Sequence, residues 1–194
     1  RPSMKELVFL LEEPSAQDML KGLVPRLLPN GVGFRCIPFQ GKQDLEKQLL
    51  RKIRGYKNPE ARFIVMRDLD NHPDCQALKE QLLEKCRESG KASVTLVRLA
   101  CKELESFYLA DLAAVEAGLG MNGLQKHQQG RKYRAPDTLG SPSKELNQLT
   151  GGAYQKRSGS RAIGQYLNPD NTRSDSFRNL VGGIRRQCEA LAAG

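Results

Sequence analysis

Four short runs rich in branched apolar residues, separated by longer amphipathic segments, constrain this chain more than any other feature. They lie at about 5–11, 34–39, 62–69 and 93–99. Runs of this kind read as interior strands of a parallel sheet. Between and after them, helices are predicted at about 16–28, 43–54, 74–89 and 102–117. The resulting order is βαβαβαβα, and crossovers of that length require a mainly parallel sheet with helices on both faces. The expected class is therefore α/β and Rossmann-like.

Local signals sharpen these elements. Ser15 and Asp18 have capping-box spacing, with Asp in place of Glu or Gln. Pro25 should kink or end the first helix. Asn30-Gly31 and Gly33 mark a turn into the second strand. Leu45, Leu49, Leu50 and Ile53 share one face of a basic helix, and Gly90 suits a helix carboxyl cap. Beyond residue 118, Gly, Gln, Asn, Ser, Lys and Arg dominate as far as 160, followed by helices expected near 160–167 and 174–192. The expected organisation is an α/β core over 4–118 and a basic loop and helical extension over 119–194, packing on the core.

Charge is distributed unevenly. Residues 1–121 carry 19 Lys/Arg against 17 Asp/Glu, whereas residues 122–194 carry 12 against 5. A basic block favours polyanions, and nucleic acid (DNA above all) is the expected partner, although solubility charge explains the same excess. No apolar stretch approaches the ~20 residues of a membrane span, and no signal peptide is evident. Arg1-Pro2-Ser3 reads as an appended remnant before a native start at Met4. Five scattered cysteines without a CxxC pair read as free thiols, and the expected location is cytoplasmic.

Each of two apolar runs stops at carboxylates. Glu12-Glu13 closes the first, and Asp68 and Asp70 close the third. In an open α/β sheet the carboxyl ends of strands face the ligand crevice. Acids gathered there repel one another unless a cation neutralises them, and oxygen ligands suit a hard divalent ion, Mg²⁺ or Mn²⁺. On an extended chain Asp68 and Asp70 would point the same way with Cα atoms roughly 6.6 Å apart. So placed, they share one cation or straddle two held about 3.5–4 Å apart. Glu12 would be a further ligand or a general base. A helix-start role explains Glu12 and Glu13 equally simply. Glu103, after the fourth strand, is a possible extra metal ligand, and Glu105 lies at the same edge. His72 reads as a loop residue, and His127 has no evident partner. In Tyr154-Gln155-Lys156-Arg157-Ser158-Gly159-Ser160-Arg161, the residues Lys156, Arg157 and Arg161 are the expected backbone-phosphate contacts, the alternative being a solvated turn.

Other chemistries lack their motifs. Gly31-Val32-Gly33 has no third glycine and precedes a strand, GxxxxGK[ST] is missing, and so is GxSxG. ATP hydrolysis would have to come from another chain.

Leu11-Glu12-Glu13-Pro14-Ser15 followed by Arg67-Asp68-Leu69-Asp70 resembles the TOPRIM fold of topoisomerases, bacterial primases and OLD-family nucleases. The resemblance implies that Glu12, Asp68 and Asp70 bind magnesium and carry catalysis. Glu13 departs from the family's usual glycine. Cys101-Lys102-Glu103-Leu104-Glu105-Ser106-Phe107-Tyr108-Leu109-Ala110-Asp111 and Ser174-Asp175-Ser176-Phe177 are similar to a small stand-alone TOPRIM-like bacterial family, whose relatives look like partners of ATPases in anti-phage systems. The leading expectation is thus a magnesium-dependent nuclease. A non-catalytic nucleic-acid-binding or regulatory subunit of an ATPase complex is the alternative. A receiver-like phosphoacceptor ranks last for want of a well-placed late-strand lysine.

Overall fold

The computed structural model describes residues 4–194, so the expected remnant at 1–3 lies outside the described residues. Four strands form: β1 (Lys5–Leu11), β2 (Val32–Pro38), β3 (Ala61–Asp68) and β4 (Thr95–Ala100). All pair in parallel, in the order β2-β1-β3-β4. The α/β class with helices on both faces is what forms.

The pleat divides β1 between two cores. Leu7, Phe9 and Leu11 point to one side, against α1 (Pro14–Leu23) and the later helices. Val8 and Leu10 point to the other, against α2 (Lys42–Arg54) and α3 (Cys75–Glu88). Crossovers of one hand explain this division. The chain steps from β1 outward to β2 with α1 on one face, then returns past β1 to β3 and on to β4 with α2 and α3 on the other.

Several local expectations needed revision. The first helix begins at Pro14 and has no Ser15 cap; Ser15 Oγ is buried without a hydrogen-bond partner. Pro25 falls in a 3₁₀ turn over Val24–Arg26 that ends the helix. The long helix expected over 102–117 breaks into α4 (Glu105–Leu109) and α5 (Leu112–Leu119). Asp111 makes the break, because one carboxylate oxygen caps Ala114 N–H at 3.2 Å and the other accepts Asn168 N–H at 2.8 Å.

After residue 119 the chain forms α6 (Pro142–Leu149), which sequence periodicity missed, then α7 (Lys156–Gly164) and α8 (Asp175–Ala193). Ser174 caps α8 through Phe177 N–H at 3.1 Å. Ser176 Oγ accepts Cys101 N–H, also at 3.1 Å, which ties α8 to the end of β4.

Helix α7 lies directly on α1. A Cβ on Gly22 would meet Gln165 N at 2.4 Å, and one on Gly164 would meet Met19 O at 2.6 Å. Only hydrogen fits at this crossing. Gly164→Ala should cost about 1–3 kcal/mol, the scale of overpacking, with α7 displaced. Urea titration of the variant measures the loss; an unchanged midpoint would show that the crossing is loose.

Candidate metal centre

The strand order reverses between β1 and β3, and in open sheets the crevice outside that point is where ligands bind. Glu12 follows β1 and Asp68 ends β3, so both flank it. Glu12 Oε2 accepts the Asp68 backbone N–H at 2.7 Å. This bond fixes the two strand ends relative to each other.

Asp70 departs from the expected geometry. The strand stops at Asp68, and Asp70 takes a left-handed backbone with φ 53°. Simple alternation therefore does not aim the two carboxylates together. Asp68 is buried at 6% exposure, whereas the Asp70 side chain is 32% exposed and meets Lys42 Nζ at 3.4 Å. Asp70 N–H also donates to the Lys102 carbonyl at 2.7 Å, and Lys102 is itself left-handed with φ 56°. Two non-glycine residues in this region, joined by a hydrogen bond, store strain at the carboxyl edge.

Glu13 stands where the resemblance expects glycine. Its backbone is extended (φ −151°, ψ 160°), so no glycine is required there. Its Oε2 lies 3.0 Å from Lys156 Nζ, and its Oε1 is buried without a donor. Glu105 is fully buried. Its Oε1 accepts Tyr154 OH at 3.2 Å, and its Oε2 has no partner. The Tyr154 ring reaches this position because Gly159 leaves room; a Cβ there would meet the ring at 2.6 Å.

The electrostatics reflect crowding. Burial, then repulsion from Glu12, Glu105, Glu13 and Asp70, raises the Asp68 pKa well above the carboxylate range. Burial also raises Glu12, partly offset by the Asp68 N–H. Burial lifts Glu105 to about 6, with Lys156 pulling it down. Desolvation would lower Lys156, but Glu105 and Glu13 outweigh it and raise the pKa. Lys156→Gln should therefore move the Glu105 titration above 6, readable by carboxyl carbon NMR; a stationary midpoint would remove the coupling.

The other expected site residues lie elsewhere. Both Glu103 oxygens accept from Ser143: Oε1 from its N–H at 3.1 Å and Oε2 from its hydroxyl at 2.9 Å. Glu103 thus anchors the start of α6. The Lys156–Arg161 segment is helical, not a solvated turn. Arg157 and Arg161 reach Asp18 at 2.9 and 3.2 Å. Burial alone would raise Asp18, but these two guanidinium groups hold it below its usual value. Their first role is therefore to clamp α7 to α1, although both side chains stay largely exposed. His72 Nδ1 accepts Asp74 N–H at 3.2 Å within its own loop. Sequence reasoning placed Lys156 among phosphate contacts and missed its place in the acid cluster. No local signal links residues 13 and 156.

Among the described residues no group of three or more His, Cys, Asp or Glu side chains stands arranged to hold a metal ion. The donor chemistry fits a hard divalent cation, since every donor is a carboxylate oxygen; the two buried oxygens without a hydrogen bond belong to Glu13 and Glu105, which lie beside the expected ligands and not among them. A ligand set here would draw on Glu12, Asp68 and Asp70, with Asp70 released from Lys42.

All five cysteines are free thiols, and no helix among the described residues is long and apolar enough to cross a membrane. The fold is similar to that of the C-terminal region of the Burkholderia pseudomallei OLD protein. That match has 16% sequence identity and a TM-score of 0.53, and it covers 95% of this chain and 98% of that one. No curated protein matches the chain. The family described as "Domain of unknown function (DUF4276)" matches residues 11–185, nearly the whole described chain, and the chain belongs to that family.

Proposed function

We propose that this protein is a TOPRIM-type, magnesium-dependent enzyme of the cytoplasm that hydrolyses phosphodiester bonds in nucleic acid, DNA above all. The observation that carries the reading is the convergence of Glu12 and Asp68 at the sheet's reversal point. There they crowd with Glu13, Asp70 and Glu105 in a partly buried, under-neutralised cluster. The likeness of fold to the OLD protein's C-terminal region supports it.

In this reading Glu12, Asp68 and Asp70 hold the cation. When bound, Mg²⁺ or Mn²⁺ supplies an acidified water and stabilises charge on the phosphate. Glu12, held by the Asp68 N–H, keeps a fixed orientation for ligation or for accepting a proton from water. Glu105, with its pKa near 6, holds or releases a proton close to working pH. Lys42 and Lys156 supply positive charge beside the acids, where a phosphate would sit. An ATPase partner that loads the protein, as in an anti-phage complex, belongs to this proposal.

One observation favours a second reading. Lys42 and Lys156 already pair with acids of the cluster, as in a non-catalytic, nucleic-acid-binding or regulatory subunit whose acids are only structural. Plasmid and single-stranded substrates, incubated with Mg²⁺ or Mn²⁺ and candidate ATPases, separate the two. Cleavage that disappears in Glu12→Ala and Asp68→Ala supports the enzyme. Cleavage surviving both removes the metal site, and salt-sensitive binding without cleavage supports the subunit.

A further inference from the structure

The end of α2 distant from Asp70 borders an open cleft of about 610 Å³ against the edge strand β2. Arg35, Arg51, Lys52 and Lys57 line it around Tyr56. Its one acid, Glu6, is already engaged, accepting from the Tyr56 hydroxyl and, at 3.4 Å, from Asn58 Nδ2. None of the four cations forms an ion pair among the described residues, so the cleft gathers four positive charges with no carboxylate paired with them. Arg51 and Lys52 complement the carboxyl end of α2. Arg35 on the strand and Lys57 beyond the helix have no such role. Arg35 instead lies 5.9 Å over the Tyr56 ring, which itself meets Phe63 edge-on at 5.4 Å. This contact holds the guanidinium on a rigid aromatic platform.

We infer that this cleft is a second nucleic-acid contact, which grips the sugar–phosphate backbone of the strand whose scissile bond lies at the carboxylate site. The inference rests on the proposed nuclease reading for the identity of that strand. Helix α2 has 13 residues and runs from Lys42, beside Asp70, to the cleft, a length of about 20 Å at 1.5 Å per residue. A duplex strand advances 3.4 Å per base pair, so about six base pairs separate the two contacts. The cleft is thus placed to hold a substrate flank and to favour long substrates over short ones.

The test is binding of a fluorescent DNA duplex of about 20 base pairs, roughly three times that span, to the full chain in EDTA across a salt series. Arg51 and Lys52 are exposed and lack carboxylate partners, so Arg51→Gln/Lys52→Gln should fold, as thermal unfolding would verify. It should bind at least tenfold more weakly at low salt. Its slope of log affinity against log salt should be shallower by about 2, from two lost phosphate contacts at ~0.9 each. Arg178→Gln/Arg185→Gln, a matched charge loss on α8, should stay within twofold of the native chain. Equal losses from both pairs, or an unchanged slope in the first, would overturn the cleft. Displacement of the duplex by a nucleoside triphosphate at equal phosphate concentration would also overturn it, assigning the cleft to a free nucleotide. Because EDTA removes any metal contribution, an inactive nuclease leaves this measurement intact. Cleavage lost in Asp68→Asn with unchanged binding in the α2 variant would sink the cleft alone.

Discussion

Asp68→Asn is expected to lower Mg²⁺-dependent cleavage about 10³-fold while leaving the protein at least as stable at pH 8. The rate loss follows from the site's role. Removing one preorganised group that holds transition-state charge in place costs about 10²–10³, and Asp68 is the most enclosed of the three proposed ligands, Glu12, Asp68 and Asp70. Stability runs the other way. Without a cation, an ionised Asp68 is desolvated and faces Glu12, Glu105, Glu13 and Asp70. Asparagine keeps the shape and removes the repulsion, and the backbone N–H to Glu12 survives. Plasmid nicking and thermal unfolding on the same samples measure both effects. Full nicking by the variant would dismiss Asp68 as a ligand, and a large fall in stability would mean that its charge is compensated in a way the geometry does not reveal.

Without divalent cations, stability should fall as pH rises from about 4.5 to 7. Glu105 alone should account for about 2 kcal/mol, the difference between its ordinary 4.5 and a native value of about 6. A carboxyl with a raised native pKa binds its proton more tightly when folded. Its favourable contribution is therefore complete at low pH and is lost as pH climbs through the native value. Asp68 and Glu12 act in the same direction. Asp18, held low by Arg157 and Arg161, acts oppositely but only below its ordinary 3.8, outside this window. For a chain of this length the expected change in melting temperature is about 4–8 °C. Mg²⁺ at pH 8 should restore much of it, since a ligand that binds only the native state stabilises by mass action. The melting profile with pH, in EDTA and in Mg²⁺, measures both. A flat profile in EDTA would mean that the cluster is fully neutralised by its lysines.

The sheet was legible because its signal is dense. Leu7 to Leu11 and Phe63 to Met66 are buried on both faces, so their apolar runs are continuous and no helix pattern competes with them. The acids at their ends followed from position alone. What remained hidden depends on contacts distant in sequence. Asp111 looks like a mid-helix residue until Asn168 arrives to share it. Gly159 and Gly164 look like flexible punctuation, yet they are spaces for the Tyr154 ring and for Met19. Glu103 reads as a possible extra ligand because it follows the fourth strand at the carboxyl edge; only Ser143, distant in sequence, shows that both its oxygens already accept hydrogen bonds. The left-handed turn at Asp70 carries no composition signal, because aspartate holds that conformation, at some cost in strain, without a glycine to mark it.

The crossing of α1 and α7 at Gly22 and Gly164 has a consequence for synthesis. The chain from 4 to about 100 holds every strand of the sheet and most of the acids, but Lys156 leaves the ribosome long afterwards. Until then Glu13 and Glu105 stand with no lysine from α7 between them. Lys42 already meets Asp70 in the nascent sheet, but the repulsion of Glu13 and Glu105 waits for α7, which docks by closing a long loop, a slow class of event. Refolding should be faster at pH 5 than at pH 8, because protonation does early what Lys156 otherwise does late.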